Sequence, residues 1–250
     1  MKFSAAPVDA FVELEKARGH AAVAEVDGAL STLERVLQGT ELLTPAVFAV
    51  GKSLMEGVLP SAWEKHWEGP EDPMRYCKGV VARMISVNAM VERVRAGSLL
   101  ARPVRLEDFF HPETFLNALR QQQAREAGVA IDSLVLVTTW DPAAPQSGGG
   151  AVVDGMRLQG ATFNGSRLAE PAADAPPFAP LPAVRMNWVP PGSPAAAGPR
   201  GAGGDPPLRV PLYLTAGREK AIADVQFPVF DAEESAKWVL AGAAVFPGAE

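Results

Sequence analysis

The 250 residues contain a single cysteine, Cys77, which excludes an internal disulfide framework and a cysteine-rich zinc site. No apolar run is long enough to span a bilayer. The first residues, MKFSAAPVDAF, lack the apolar stretch of a signal peptide. The expectation is therefore a cytoplasmic protein of a reducing compartment, with no membrane partner. Positive charge is also short. The 23 Lys and Arg are outnumbered by 29 Asp and Glu, a net charge of −6, which excludes nucleic-acid backbone binding as the main task. Aromatic residues make up 7%, few for the stacking platforms of a single-strand-binding groove. Only three histidines occur, His20, His66 and His111, none four residues from another, so no metal centre is expected. A G-x-S-x-G elbow and a Cys/His nucleophile motif are missing, as is any repeat of solenoid length.

What is present divides the molecule. Residues 1–128 read as a helical part. Val23, Val26, Leu30, Leu33 and Leu37 step by three and four, and Gly39 ends the run. Thr44-Pro45 is a cap followed by proline in the first turn, opening a helix through Phe48 and Leu54 to Gly57. Leu59-Pro60 breaks the backbone course, and Trp63 and Trp67 share a face. Glu68 to Pro73 is a turn whose Asp72 caps the longest helix. Its stripe is Cys77, Val80, Val81, Met84, Ile85, Val91 and Val94. The run FFHPETFLNALRQQQAR, from Phe109, places Pro112 and Glu113 in a first turn and His111 at the cap. Phe115, Leu116 and Leu119, with Gln122 or Gln123, make one buried face, and Gly128 is the stop. An amphipathic packed helix explains this run better than an active-site helix.

After Ile131 the period changes to two, and residues 129–250 read as a β part. The strands are Leu134 to Val137; Met156 with Leu158; Val184, Met186 and Trp188; Val210, Leu212 and Leu214; Val225, Phe227 and Val229; and a last apolar strand from Trp238 to Phe246. Asp154-Gly155 and Asn164-Gly165 are turn or bulge signals, and Pro211 suggests an edge or bulge. Pro171 to Pro182 is Pro/Ala-rich. Pro190 to Pro207 has no core-forming residue and is expected to be a mobile, disordered loop. The fold class expected is α+β, a helical part followed by a small antiparallel β-barrel of about six strands.

The candidate chemistry is thin. Gly51-Lys52-Ser53 looks like the tail of a phosphate-binding loop, but Ala46 stands where the motif needs glycine, and the preceding residues fit a helix. Cys77 lies on an apolar face and reads as an inert thiol. Glu71 and Asp72 sit at a helix start, where carboxylates cap. Asn164-Gly165-Ser166 matches a glycosylation acceptor but is better explained as a hairpin turn. No catalytic, cofactor-binding or metal-binding residue is nominated, and no cofactor is expected. On its residues alone the protein is an intracellular interaction or regulatory module.

Five stretches in order carry a resemblance. GTELLTPAVFAVGKSLMEGVLPSAWEKHWEGPEDPMRYCKGVVAR and FFHPETFLNALRQQQAR resemble the C-terminal domain of dynein heavy chains. So do GMRLQGATFNGSRL, VPLYLT with Arg218, and KWVLAGAAVF. GTELLT and WEGPEDP are most similar to the cytoplasmic dyneins of retrograde intraflagellar transport. The resemblance implies a helical part followed by a β-barrel, lying on the AAA+ ring of the same heavy chain and controlling motor output without chemistry of its own. It implies dynein complex subunits as partners, microtubules reached only through other parts of the motor, and a place on the cytoskeleton and in the cilium. The alternatives are a free-standing β-barrel module that binds a small ligand or single-stranded nucleic acid, against which the acidic balance and few aromatics argue, and an enzyme whose site is assembled from distant residues.

Overall fold

The computed structural model describes residues 6–141, 149–198, 206–229 and 231–248. They form two compact units. The first comprises residues 9–97 with 108–111; the second comprises 6–8, 98–107 and 112–248.

Helices build the first unit: α1 (Pro7–Leu37, its first residues apart), α2 (Pro45–Met55), α3 (Ser61–Glu64) and α4 (Pro73–Arg95). The caps expected from the sequence are in place. Thr44 accepts a hydrogen bond from the Val47 N–H, and Asp72 accepts one from the Arg75 N–H at 2.7 Å. The core gathers Ala22, Trp63, Trp67, Tyr76, Val80, Met84, Val87 and Phe110. Trp67 stacks at a tilt on Tyr76, and the Tyr76 hydroxyl donates to the Trp63 carbonyl at 2.7 Å. Burial pushes that phenol up to about 12, so it stays a neutral donor. Gly19 is required where α1 crosses this core, because a side chain there would meet Met84 and Phe110.

The α4 stripe differs from expectation. Tyr76, Val80, Met84, Val87, Met90 and Val91 are buried, whereas Val81 and Ile85 are exposed. Apolar residues occupy more of this helix than its core face uses.

Among the described residues the second unit holds α5 (Pro112–Ala127), α6 (Ala232–Leu240) and eleven strands. In sequence order these are β1 (Val104–Arg105), β2 (Val135–Thr139), β3 (Ala151–Asp154), β4 (Met156–Gln159), β5 (Thr162–Phe163), β6 (Leu168–Ala169), β7 (Phe178–Pro180), β8 (Val184–Val189), β9 (Leu208–Tyr213), β10 (Ala221–Phe227) and β11 (Ala244–Pro247). One sheet runs β1-β3-β8-β2, another β10-β9-β11-β4-β7, and β5 pairs with β6 alone. The class is α+β, and the sheets are of mixed orientation, since β1 with β3 and β11 with β9 are parallel. More strands form than the six or so expected, partly because Gly155 (φ 77°) breaks one run. Its N–H is held by the Asp154 carboxylate at 2.7 Å, and β3 and β4 go to different sheets. Asn164-Gly165 does make a hairpin turn, with Asn164 Oδ1 accepting from the Ser166 and Arg167 N–H groups.

Three further expectations are corrected. Trp238 to Phe246 is not one strand. Asp231 caps α6 through the Glu234 N–H, Gly242 (φ 70°) ends the helix, and only then does β11 begin. Pro211 is not on an edge, because β9 lies between β10 and β11; the register shift is instead on β10, between Ala221 and Ala223. The described part of Pro190–Pro207 is no featureless loop: it includes a turn closed by Ser193 N–H to Pro190 C=O and a 3-10 helix, Pro194–Ala197, against β2. Residues 199–205 lie outside the described residues.

No backbone ladder among the described residues closes the two large sheets on each other. Their edge strands β2 and β10 are joined by side chains. The Thr138 hydroxyl donates to the Gln226 carbonyl and accepts from the Gln226 N–H, both at 2.9 Å. Trp140 Nε1–H donates to the same carbonyl at 2.7 Å, and Gln226 Nε2–H donates to the Leu136 carbonyl at 3.0 Å. The edge groups are thus satisfied without a ladder. Gln226→Ala removes the bridge to Leu136 and should cost about 1–3 kcal/mol. Hydrogen exchange at the β2 amides should then accelerate; unchanged exchange there would show that Gln226 does not hold this seam.

Candidate interaction surfaces

Among the described residues, one of the fully buried polar side chains is one the sequence did not single out. The Glu15 carboxylate is fully buried in the first unit. It accepts from the Phe110 N–H at 2.6 Å, from the His111 N–H at 3.2 Å, and contacts His111 Nδ1 at 3.0 Å. Arg18 lies 3.6 Å away, one helical turn on. Glu15 therefore fixes the segment before Pro112 by accepting the N–H groups of two consecutive residues. Phe109 and Phe11, edge to face at 5.0 Å, pack the same segment onto α1. His111 is thus tied to α1, in addition to preceding the proline as expected. His20 is exposed and His66 is half-buried. Among the described residues, no group of three or more His, Cys, Asp or Glu is placed to hold a metal ion.

Gly51, Lys52 and Ser53 lie inside α2, with Lys52 3.8 Å from Glu56. Helical backbone at these positions cannot turn successive N–H groups toward a phosphate. Millimolar ATP with magnesium should leave the melting temperature of the protein unchanged, since a ligand specific for the native state raises it. A saturable upward shift would overturn this reading. Cys77 is half-buried, and burial pushes its thiol up, away from a reactive thiolate.

The first unit carries a second, apolar feature. Except for Val129, Val239 and Leu240, all the exposed large hydrophobic residues among those described belong to it. They follow helical spacing. On α1, Val23, Leu30 and Leu37 recur every seven residues and face outward, while Val26 and Ala29 face the core. On α2, which buries no residue, Phe48 and Met55 are 55% and 83% exposed. On α4, Met74, Val81 and Ile85 form an outer stripe. These helices are apolar on two faces, and only one is covered by the unit itself. Leaving such stripes in water is unfavourable, and covering each Phe, Leu or Met is worth about 1.5–3 kcal/mol.

The cavities of the second unit include two lined by described residues. One, of about 740 Å³, lies between the β5–β6 hairpin and α6 and is lined by Arg167, Glu170, Glu233, Lys237 and Trp238. Lys237 pairs with Glu170 at 2.6 Å, which draws the Glu170 carboxyl below its usual range. The other, of about 230 Å³, lies between α5 and strands β2, β8, β9 and β10. Neither lining includes a His, Cys or Ser that could act as a nucleophile or a general base at neutral pH.

Residues 2–247 match the family described as the C-terminal domain of the dynein heavy chain. The protein belongs to that family. It is 42% identical to the cytoplasmic dynein 2 heavy chain 1 of Chlamydomonas reinhardtii over 96% of its own length, and 33% identical to the human protein of that name over 96%. Identity to an axonemal relative, the flagellar outer arm dynein beta chain of C. reinhardtii, is 24% over 93% of the sequence. The similarity is therefore to dynein 2 more than to that axonemal relative, as the GTELLT and WEGPEDP stretches suggested. The 250 residues span only 5–6% of the length of these relatives.

The motifs that carry the resemblance to dynein C-terminal domains hold the fold together. Trp63 and Trp67 are core residues, and α5 lays Phe115, Leu116 and Leu119 in the second unit's interior. Arg218, just beyond the VPLYLT segment, adopts φ 57°. Its guanidinium donates to Gln159 Oε1 and to the Gly242 carbonyl, each at 2.9 Å, tying β4 to the turn after α6. Gln123 receives the Trp188 N–H at 2.8 Å and donates to Asn187 Oδ1, anchoring α5 on β8. No helix among the described residues is long and apolar enough to cross a membrane.

Proposed function

We propose that this protein is a regulatory and structural part of a dynein heavy chain, packed on the AAA+ motor ring through the apolar stripes of its first unit. The observation that carries this reading is the pair of helical faces on α1, α2 and α4: one covered by the unit's own core, the other open. A segment that is about one-twentieth of its relatives' length, with such a face, is suited to pack on the rest of a large polypeptide. The domain itself does no chemistry. Nucleotide hydrolysis, the stalk and the microtubule contact belong to other parts of the motor. The higher identity to dynein 2 heavy chains favours a minus-end-directed motor of retrograde intraflagellar transport, acting on the cytoskeleton and in the cilium with the other dynein subunits. The two large sheets, bridged at Thr138 and Gln226, are read as the halves of an incompletely closed barrel. Covalent footprinting tests the packing. Met55, Met74 and Leu37 should label readily in the isolated domain and be protected in an intact heavy chain. Equal labelling in both would remove the support for these stripes as the packed face.

A further inference from the structure

We infer that Pro190–Gly198 is a strap that closes the seam between β2 and β10, lifts off it without unfolding of the sheets, and latches on Gln226 at Gly198. The seam has no backbone ladder among the described residues. Its amide hydrogens are held by side chains of the opposite edge: Gln226 N–H by the Thr138 hydroxyl at 2.9 Å, and Thr138 N–H by Gln226 Oε1 at 3.4 Å. Such bonds hold best where water is kept out. Gln226 is 4% exposed although it stands on an edge strand. The strap is part of its cover. The 3-10 helix Pro194–Ala197 lies against β2, and Gly198 lies against the Gln226 amide. A side chain at position 198 would come within 2.6 Å of Gln226 Oε1 and 3.4 Å of Pro207. At φ 67° the backbone there also favours glycine. Close approach and backbone conformation both ask for glycine at the point of contact.

The grip of the strap is weak. Its sequence, PPGSPAAAG, has no large apolar side chain to bury against the sheets. Among the described residues its hydrogen bonds are internal: Ser193 N–H to Pro190 C=O at 3.2 Å and Ala196 N–H to Ser193 C=O at 2.9 Å. The Ser193 hydroxyl is enclosed without a hydrogen-bond partner and regains water when the strap lifts. A segment with so little buried apolar area opens locally, well below the free energy of global unfolding. The strap is thus a reversible cover. On the seam it keeps water from the edges of β2 and β10; off the seam, both edges face solvent and are open to pairing with an added strand.

The test is hydrogen exchange of the 250-residue protein, resolved by residue. In the unaltered protein the Ala196 amide should exchange about a hundredfold faster than the amides inside β8, because the strap opens on its own. Gly198→Ala should accelerate the Thr138 and Gln226 amides about tenfold or more and leave those of α5 and β8 unchanged. Gly192→Ala is the control. Gly192 also has a positive φ, 83°, but open space where a side chain would go, so it carries the backbone strain without the collision. It should move the seam amides much less. Replacing residues 191–198 with a Gly-Ser segment of the same length should accelerate the seam at least as much as Gly198→Ala. The inference is overturned if the strap amides are as protected as those of β8, or if seam rates are unchanged in both Gly198→Ala and the replaced strap. Equal acceleration in Gly192→Ala, or acceleration spread equally over α5 and β8, would overturn it too.

Discussion

Phe115→Ala is expected to lower the stability of the second unit by about 3–5 kcal/mol, the cost of emptying a buried phenylalanine site. Phe115 is 1% exposed on the inner face of α5, the helix that packs on β8. Gln121→Ala, further along α5 and on the exposed side, should change stability by no more than about 0.5 kcal/mol. Denaturant unfolding followed by circular dichroism and by tryptophan fluorescence measures both variants. Equal midpoints would mean that α5 does not contribute its apolar stripe to a core. The same pair separates a packed helix from a catalytic one, since a catalytic helix would place the larger loss on polar residues without loss of stability.

Glu15→Ala should also damage the first unit, because each backbone N–H it leaves buried without an acceptor costs about 1–3 kcal/mol. The stranded groups are the Phe110 and His111 N–H donors; Arg18, 36% exposed, keeps water within reach. Glu15→Gln keeps one oxygen acceptor and the shape, and should cost clearly less, because what it loses is the charge-assisted part of these bonds. Chemical denaturation of the two variants tests the order. If Gln and Ala were equally mild, the carboxylate would be a bystander rather than the anchor of the segment before α5.

These two residues differ in how far the sequence revealed them. Phe115, Leu116 and Leu119 repeat at helical spacing within about one turn of each other, so the buried face of α5 can be read directly. The caps at Thr44-Pro45 and Asp72-Pro73 are equally local and lie where the sequence places them. Glu15 binds residues ninety-five and ninety-six positions away, and nothing in its own neighbourhood distinguishes it from a solvated glutamate. The α6 helix had a local signal that was outweighed by the apolar run following it. Asp231 and Glu234 stand three apart, a helix-start spacing, and Gly242 divides Trp238 from β11. Arg120 on α5 and Arg209 on β9 border one cavity only in the folded molecule, which no sequence period encodes.

The apolar stripes were legible as pattern but not as destination. Periodicity in α1 and α4 identifies apolar residues without saying whether the protein's own core or another surface covers them. Val26 packs on the core, whereas Leu30, one turn later, faces outward at 42% exposure. Val80 and Val81 are neighbours with opposite fates. Only the folded molecule separates the two sets, and it is the outward set on which the proposed packing rests.

Packing on the motor ring is tested by co-elution on size exclusion of this domain with the AAA+ ring of the same heavy chain, expressed without the segment. Phe48→Asp/Met55→Asp is the paired variant, chosen because both side chains are already exposed and the substitutions should leave the melting temperature in place. The unaltered domain should elute with the ring, and the charged variant, folded as well, should elute alone. Separate elution of the unaltered domain, or co-elution of the charged variant to the same extent, would contradict ring packing through these stripes.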